Sequence, residues 1–241
     1  MTPFVSIIIP AYNEEKRIAT TLRRMIEYSQ TKPHPIEIIV SDDGSSDQTL
    51  TVAREILSQS GVIHQILKAP KNQGKGAAVR RGMLAAKGEY RLFSDADLST
   101  PIEELDKFLP LLIDGRADVV IGSRVVEGAN IIEHQSLLRE GMGRVFNTVA
   151  TLFAFQGIKD SQCGFKCFTK LSADKIFTIQ KLDGFSFDVE LLFLAQRLKM
   201  KIKELPVTWI NSAATKVHVL RDPILMFWDV LRIRWLHRLN G

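Results

Sequence analysis

The chain has 241 residues, 45% of them apolar and 24% charged, with 32 Lys and Arg against 27 Asp and Glu. That composition excludes disorder, collagen and coiled coil. The length suits one α/β domain with enough buried surface to need no disulfide staples. The only cysteines, Cys163 and Cys167, have no nearby His pair, so a structural zinc site is excluded and reduced thiols are expected. No run reaches the ~18 apolar residues that a spanning helix needs. Met1-Thr2-Pro3 shows no basic leader. A soluble or peripheral protein is expected.

The first 120 residues alternate strand and helix signals. Residues 4–9 form a short β-branched run ended by Pro10, as a buried strand should be. Ile18, Leu22, Met25 and Ile26 then share one helical face. Residues 36–40 predict a second strand, and residues 41–45 a loop. A helix through Leu50, Ala53 and Leu57 follows, with Asp47 placed to cap it. Further strands are predicted over 62–67, 90–94 and 117–121, and helices over 74–87 and 102–112. Strands spaced by such helices make βαβ units and a largely parallel sheet. Beyond Gly122 the spacing predicts a loop over 125–137, then helices over 138–155, 171–179 and 187–198 and a strand over 202–209. No composition shift marks a boundary. Residues 1–215 read as one domain and 216–241 as an appended segment.

Ligands of parallel sheets sit at the carboxyl ends of strands, which singles out residues 10–15, 41–47 and 94–100. Asp95-Ala96-Asp97 places two carboxylates just past a buried strand. They either share one hard divalent cation with substrate phosphates or form a solvated turn in which Asp97 caps the next helix. Asp42-Asp43-Gly44-Ser45-Ser46-Asp47 offers an acceptor for a nucleobase imide or ribose hydroxyl, or is plain turn chemistry. Lys71-Asn72-Gln73-Gly74-Lys75-Gly76 puts glycines at a helix start, where close backbone approach and anions are favoured. It is neither a P-loop nor a dinucleotide fingerprint.

Taken in order and with their spacing, Pro10-Ala11-Tyr12-Asn13-Glu14, the Asp42–Asp47 segment, the Lys71–Gly76 segment, Asp95–Ser99 and Gly122-Ser123-Arg124 resemble the family 2 nucleotide-sugar glycosyltransferases. Asp160-Ser161-Gln162-Cys163-Gly164-Phe165-Lys166 and residues 209–216 resemble the dolichyl-phosphate β-glucosyltransferases within that family. The resemblance implies a GT-A fold, with a Rossmann-like, mostly parallel central sheet flanked by helices. It also implies a pocket for base and ribose at Pro10, Tyr12, Glu14, Asp42 and Asp43. The metal and diphosphate motif would be Asp95, Ala96 and Asp97, with Asp95 and Asp97 holding Mg²⁺ or Mn²⁺ and Asp97 also catalytic. Arg124 and Arg139 would hold phosphate at the reacting centre. Lys75, Gln162 and Lys216 complete the substrate-binding set. Mannosyl members often have Leu-Gln after the metal motif and an arginine after the last strand. Here Leu98-Ser99 and residues 210–215, without an arginine, stand in those places, which weakens the mannose reading and leaves the third metal ligand unassigned.

The activity implied is inverting transfer of a hexose, glucose from UDP-glucose, to a polyprenyl (dolichyl-type) phosphate. Alternatives are GDP-mannose or UDP-N-acetylglucosamine as donor, a glycan hydroxyl as acceptor, a nucleotidyltransferase, or a nucleotide-sugar-binding module without catalysis. None of the five histidines lies in a motif. A phosphate acceptor needs no base, because its second pKa is about 6; a hydroxyl acceptor would need one, for which Asp160, Asp188 and Glu190 are the candidates. No nucleic-acid motif is present.

Residues 216–241 carry five Lys or Arg and two Asp. Ile224, Trp228, Leu231, Trp235 and Leu239 form one helical stripe, and Met226, Val230 and Ile233 a second flank among Arg221, Arg232, Arg234 and Arg238. An interfacial helix on a membrane surface is expected, against the alternative that it docks on the domain or on a second copy. The corresponding location is peripheral, on the cytoplasmic face.

Overall fold

In the computed structural model, the described residues are 2–132, 150–151, 154–211 and 221–238. Arg139, Lys216, Leu239 and most of the helix expected over 138–155 lie outside them. The chain begins β1 (Val5–Ala11), α1 (Ile18–Gln30), β2 (Ile36–Asp42), α2 (Thr49–Ser60), β3 (Ile63–Lys68), α3 (Lys75–Ala85) and β4 (Tyr90–Ser94). A 3₁₀ turn over Ile102–Glu104 leads into α4 (Leu105–Ile113), followed by β5 (Val119–Ser123) and the short β6 (Asn130–Ile131). The remainder is β7 (Phe165–Thr169), α5 (Lys170–Ile179), α6 (Phe187–Arg197), β8 (Ile202–Pro206), β9 (Thr208–Trp209) and α7 (Arg221–Leu236).

Seven strands form one sheet in the order β3-β2-β1-β4-β7-β5-β8, and β6 pairs with β9 beside it. All neighbours in the large sheet run parallel except at β7, which is antiparallel to both β4 and β5. The β-branched run of β1 explains its central place. Ile7 and Ile9 enter one core layer with α1 and α4, while Ile8 enters the other with α3, α5 and α6, as the period of two dictates. Pro10 is tolerated because β4 pairs with β1 only as far as Ile8, whereas β2 follows it to Ala11. The strand order turns around at β1 and β4, and this parting opens the crevice where doubly wound sheets bind ligands.

Two local expectations are corrected. Asp47 is not the N-cap of α2, since Gln48 holds that position. Asp47 acts from one residue earlier, accepting from the Thr49 amide at 3.0 Å and the Glu15 amide at 3.2 Å. The single strand expected over 202–209 is broken into β8 and β9, so that Val207 returns its amide to the Ser123 carbonyl at 3.2 Å and Ile210 its amide to the Ser99 carbonyl at 2.8 Å.

Candidate active site

The loops after β1 and β2 are stitched together. The Asn13 amide donates to Ser45 Oγ at 2.9 Å, and the Ser46 amide donates to Asn13 Oδ1 at 2.9 Å. Asn13 has φ +53°, a left-handed conformation that Asn tolerates. Tyr12 stands exposed at the end of β1. The Glu14 amide donates to Thr49 Oγ1 at 2.7 Å, while its carboxylate grips Arg17 through Nε and, at 2.8 Å, through Nη2.

Asp42 and Asp43 are both buried but differ in their commitments. Asp42 Oδ2 accepts from the amides of Gly44 and Ser45 at 3.1 Å each, and its Oδ1 has no partner among the described residues. Asp43 Oδ2 accepts from the amides of Gln73 and Gly74 at 2.9 and 2.7 Å, and its Oδ1 lies 3.4 Å from Arg81. Asp43 therefore fastens the glycine-lysine turn, and Asp42 presents the spare acceptor.

Asp95 begins the loop after β4. Its amide donates to the Gly164 carbonyl at 3.2 Å, and its Oδ1 meets Lys75 Nζ at 2.6 Å. Burial by itself would lower the Lys75 ammonium, but Asp95 and Asp188 outweigh it and hold the group above its ordinary value. Asp97 Oδ1 accepts from the Ser99 amide at 3.0 Å, and its Oδ2 lies 3.8 Å from Arg17. Between them Ala96 is buried, its carbonyl accepting from Thr21 Oγ1 at 2.6 Å. Leu98 follows at φ +49°. A left-handed leucine costs roughly 1–2 kcal/mol, a strain that tightly bonded functional loops tolerate.

Among the described residues no cluster of three metal-ligating side chains occurs. The pair Asp95 and Asp97 still fits a hard divalent ion. Both are oxygen donors at a partly open site, such ions keep waters and substrate phosphates in their shell, and the Lys75 ammonium already occupies Asp95 as a cation would.

On the far side of the crevice Arg124 follows β5. Its fork is bound to Asp160, Nε to Oδ2 at 2.7 Å and Nη2 to Oδ1 at 2.8 Å, and its amide adds a third bond at 3.0 Å. Burial opposes both charges, yet the pair wins. Asp160 lies below the usual carboxylate range and Arg124 above its ordinary value. Arg124 also stands over the Trp209 ring, 5.6 Å from its centroid. Most of the fork expected to grip phosphate is thus held by Asp160. Gln162 gives its amide to Asp160 Oδ1 at 3.2 Å, and its Nε2 has no partner among the described residues.

Behind this wall Lys166 and Asp188 form a fully buried ion pair at 2.5 Å, and Lys166 also donates to the Cys163 carbonyl at 2.7 Å. Burial lifts Asp188 above the usual carboxylate range against the pull of Lys166 and Lys75. Cys163 and Cys167 are free and buried, and burial pushes the Cys163 thiol up to about 11.

The structure thus gathers Glu14, Asp42, Asp43, Lys75, Asp95 and Asp97 at one crevice, with Arg124 and Gln162 on its opposite wall. Sequence reasoning missed Arg17, which ties Glu14 to Asp97, and Lys166, whose neutralising partner is remote in the chain. Residues 6–177 match the family model "Glycosyl transferase family 2". The chain belongs to glycosyltransferase family 2.

Curated relatives of this glycosyltransferase include the dolichyl-phosphate beta-glucosyltransferase of Drosophila melanogaster, 36% identical over 248 residues, covering 98% of this chain and 76% of that protein. Those of Saccharomyces cerevisiae and Homo sapiens are each 34% identical, covering 98% and 100% of this chain and 76% and 77% of theirs. Among solved structures, glucosyl-3-phosphoglycerate synthase from Mycobacterium tuberculosis, in complex with Mn²⁺, UDP and glucosyl-3-phosphoglycerate, superimposes with a TM-score of 0.67 at 18% identity, over 99% of this chain and 80% of its own. Staphylococcus aureus TarS 1–349 with UDP-GlcNAc gives 0.61 at 20% identity, over 98% and 67%. The glycosyltransferase therefore has the expected GT-A fold.

Proposed function

We propose that this glycosyltransferase moves glucose from UDP-glucose to a polyprenyl (dolichyl-type) phosphate with inversion at the sugar. The observation that carries this is the likeness, over 98% or more of the chain, to several relatives named for that activity. In this assignment Pro10, Tyr12, Glu14 and the spare Oδ1 of Asp42 face the nucleoside, and Asp43 acts by holding the turn that carries Lys75. Asp95 and Asp97 would hold Mg²⁺ or Mn²⁺, which neutralises charge building on the departing diphosphate. Lys75 stands beside that position and is available to the diphosphate.

The acceptor phosphate oxygen attacks the anomeric carbon as the bond from that carbon to the diphosphate oxygen breaks, and UDP leaves. No general base is needed, because a phosphate monoester is already anionic at neutral pH. The three carboxylates named as candidate bases for a hydroxyl acceptor are engaged elsewhere. Asp160 is bound to Arg124, Asp188 to Lys166, and Glu190 to two backbone amides. Arg124, neutralised in part by Asp160, orients the acceptor wall, and Gln162 Nε2 is a spare donor on it. Arg139 is assigned to phosphate, and Lys216 to substrate, by motif alone.

Residues 1–215 act as the catalytic unit, and residues 216–241 seat it on the cytoplasmic face of the membrane. Among the described residues no helix is long and apolar enough to cross a bilayer. Supporting the surface role, α7 buries Val230 and Ile233 against the domain, as the chain does with His237 just past its end, and leaves Leu225, Phe227, Trp228 and Trp235 exposed. The stripe of tryptophans is thus the outward one, beside the exposed Arg232, Arg234 and Arg238, a composition suited to anionic headgroups.

The test is a donor panel of UDP-glucose, GDP-mannose and UDP-N-acetylglucosamine with a short polyprenyl phosphate and Mg²⁺ or Mn²⁺, read as lipid-linked sugar on thin layers. Product from UDP-glucose alone is expected. Preference for another donor, or equal transfer to free polyprenol, would overturn the assignment.

A further inference from the structure

Glu190, on α6, is fully buried and makes three contacts that together join separate parts of the fold. It accepts from the amides of Lys181 and Leu182 at 2.8 Å each, and its Oε1 lies 2.6 Å from Nε2 of the buried His237, at the end of α7. Two further contacts bind that end of α7: Lys181 Nζ reaches the Leu236 carbonyl at 2.5 Å, and Arg197 bonds the His237 carbonyl.

The segment that Glu190 clasps lies against the turn opening α3. The Asp183 carbonyl accepts from the Ala77 amide at 3.2 Å, and Gln180 Nε2 donates to the Gly76 carbonyl at 3.1 Å. Arg80 returns to the Gln180 carbonyl at 3.0 Å. The approach is so close that a β-carbon on Gly74 would fall 2.3 Å from the Asp183 carbonyl oxygen, and one on Gly76 2.6 Å from that of Leu182. These glycines therefore admit protein backbone. Lys75 stands between them, its ammonium on Asp95 and 5.9 Å from the centroid of the Phe187 ring.

We infer that Glu190 is a positioning residue for Lys75, with His237 as its support, so that the C-terminal helix belongs to the scaffold of the donor site. This rests on the proposed role of Lys75 and Asp95 toward a nucleoside diphosphate. Glu190 touches no substrate. It fixes residues 181–182, and these fix the backbone on which Lys75 is mounted. A buried brace with no such role would stabilise the fold equally, so the test separates position from stability.

Glu190→Gln and His237→Gln are made in the full chain, alone and combined with Lys75→Met. Glu37→Gln is the reference, because it alters a buried carboxylate network with Ser6 and Gln65 near the opposite end of the sheet. UDP is titrated in Mg²⁺ by calorimetry, and amide hydrogen exchange is followed at residues 73–78. Each single variant is expected to weaken UDP about tenfold, the order seen when a group orienting a binding side chain is lost. The loss should vanish in the Lys75→Met background, and exchange at 73–78 should quicken more than in Glu37→Gln at equal loss of Tm. Losses that add to that of Lys75→Met, or unchanged exchange at 73–78, overturn the inference. Should wild type not bind UDP, the donor assignment fails, and exchange alone decides the positioning role. His237→Gln leaves both amide bonds of Glu190 in place and serves if Glu190→Gln does not fold.

Discussion

Gly164 lies so close to Asp95 that a β-carbon at position 164 would fall 2.1 Å from Asp95 Oδ2. The residue before β7 thereby sets the outer limit for a carboxylate assigned to metal. Gly164→Ala has a simple consequence, because the colliding atom ends a side chain that can turn away. The fold should survive with little change in Tm, while the displaced carboxylate lowers kcat/KM about 10²-fold, the order of one preorganised electrostatic contact. Turnover and melting measured on the same preparation check this.

Asp42 and Asp43 should separate cleanly. Asp42→Asn replaces the spare Oδ1 acceptor or its bonded twin, and is expected to raise KM for the nucleotide sugar with a small change in kcat. Asp43→Asn weakens the hold on the Gln73 and Gly74 amides, so it should lower Tm as well as affinity. Steady-state kinetics beside thermal melting tell the two apart.

Lys166 and Asp188 make a buried ion pair, for which removal of one partner costs about 3–5 kcal/mol while joint replacement by apolar groups costs far less. Asp188→Asn should therefore be severely destabilising by urea unfolding, and Lys166→Met with Asp188→Leu much less so. Equal losses would show that the pair is not the source of the effect.

Asp160 supplies the pH dependence. Its folded pKa is depressed, since Arg124 outweighs burial, so the native state favours the carboxylate. That stability is present above the ordinary value near 4 and drains away as pH falls through the lower, folded value. The Tm advantage of wild type over Asp160→Asn should be full at neutral pH and shrink as pH falls below the ordinary carboxylate value of about 4.

Trp228 and Trp235 are exposed, whereas Val230 and Ile233 pack on the domain. Trp228→Ala with Trp235→Ala should therefore cut co-sedimentation with anionic vesicles and leave Tm unchanged. Val230→Asp should lower Tm. Removing the whole helix mixes the two effects, because its inner face is part of the core.

The alternation of strands and helices, and the three motif loops at strand ends, were legible because β1, β2 and β4 carry short apolar runs and the carboxyl-end rule then fixes where their loops gather. The antiparallel course of β7 was not. Its five residues contain Lys166, whose charge is neutralised by Asp188 from another element. The partners of Asp43 and Arg124 were hidden for the same reason, since ion pairing between distant segments leaves no local pattern. In α7 both flanks are apolar, and hydrophobicity alone does not say which one the domain covers.

The reversed direction of β7 also divides the labour of the chain. On the β3-to-β4 side, residues reach the crevice by following a strand. At β7 they reach it by preceding one, and residues 160–164 are held there by contacts to other segments: Asp160 to Arg124 and Glu204, and the Gly164 carbonyl to the Asp95 amide. The place of that segment beside Asp95 therefore rests on the Arg124–Asp160 pair and on the absence of a side chain at Gly164, and not on strand register alone.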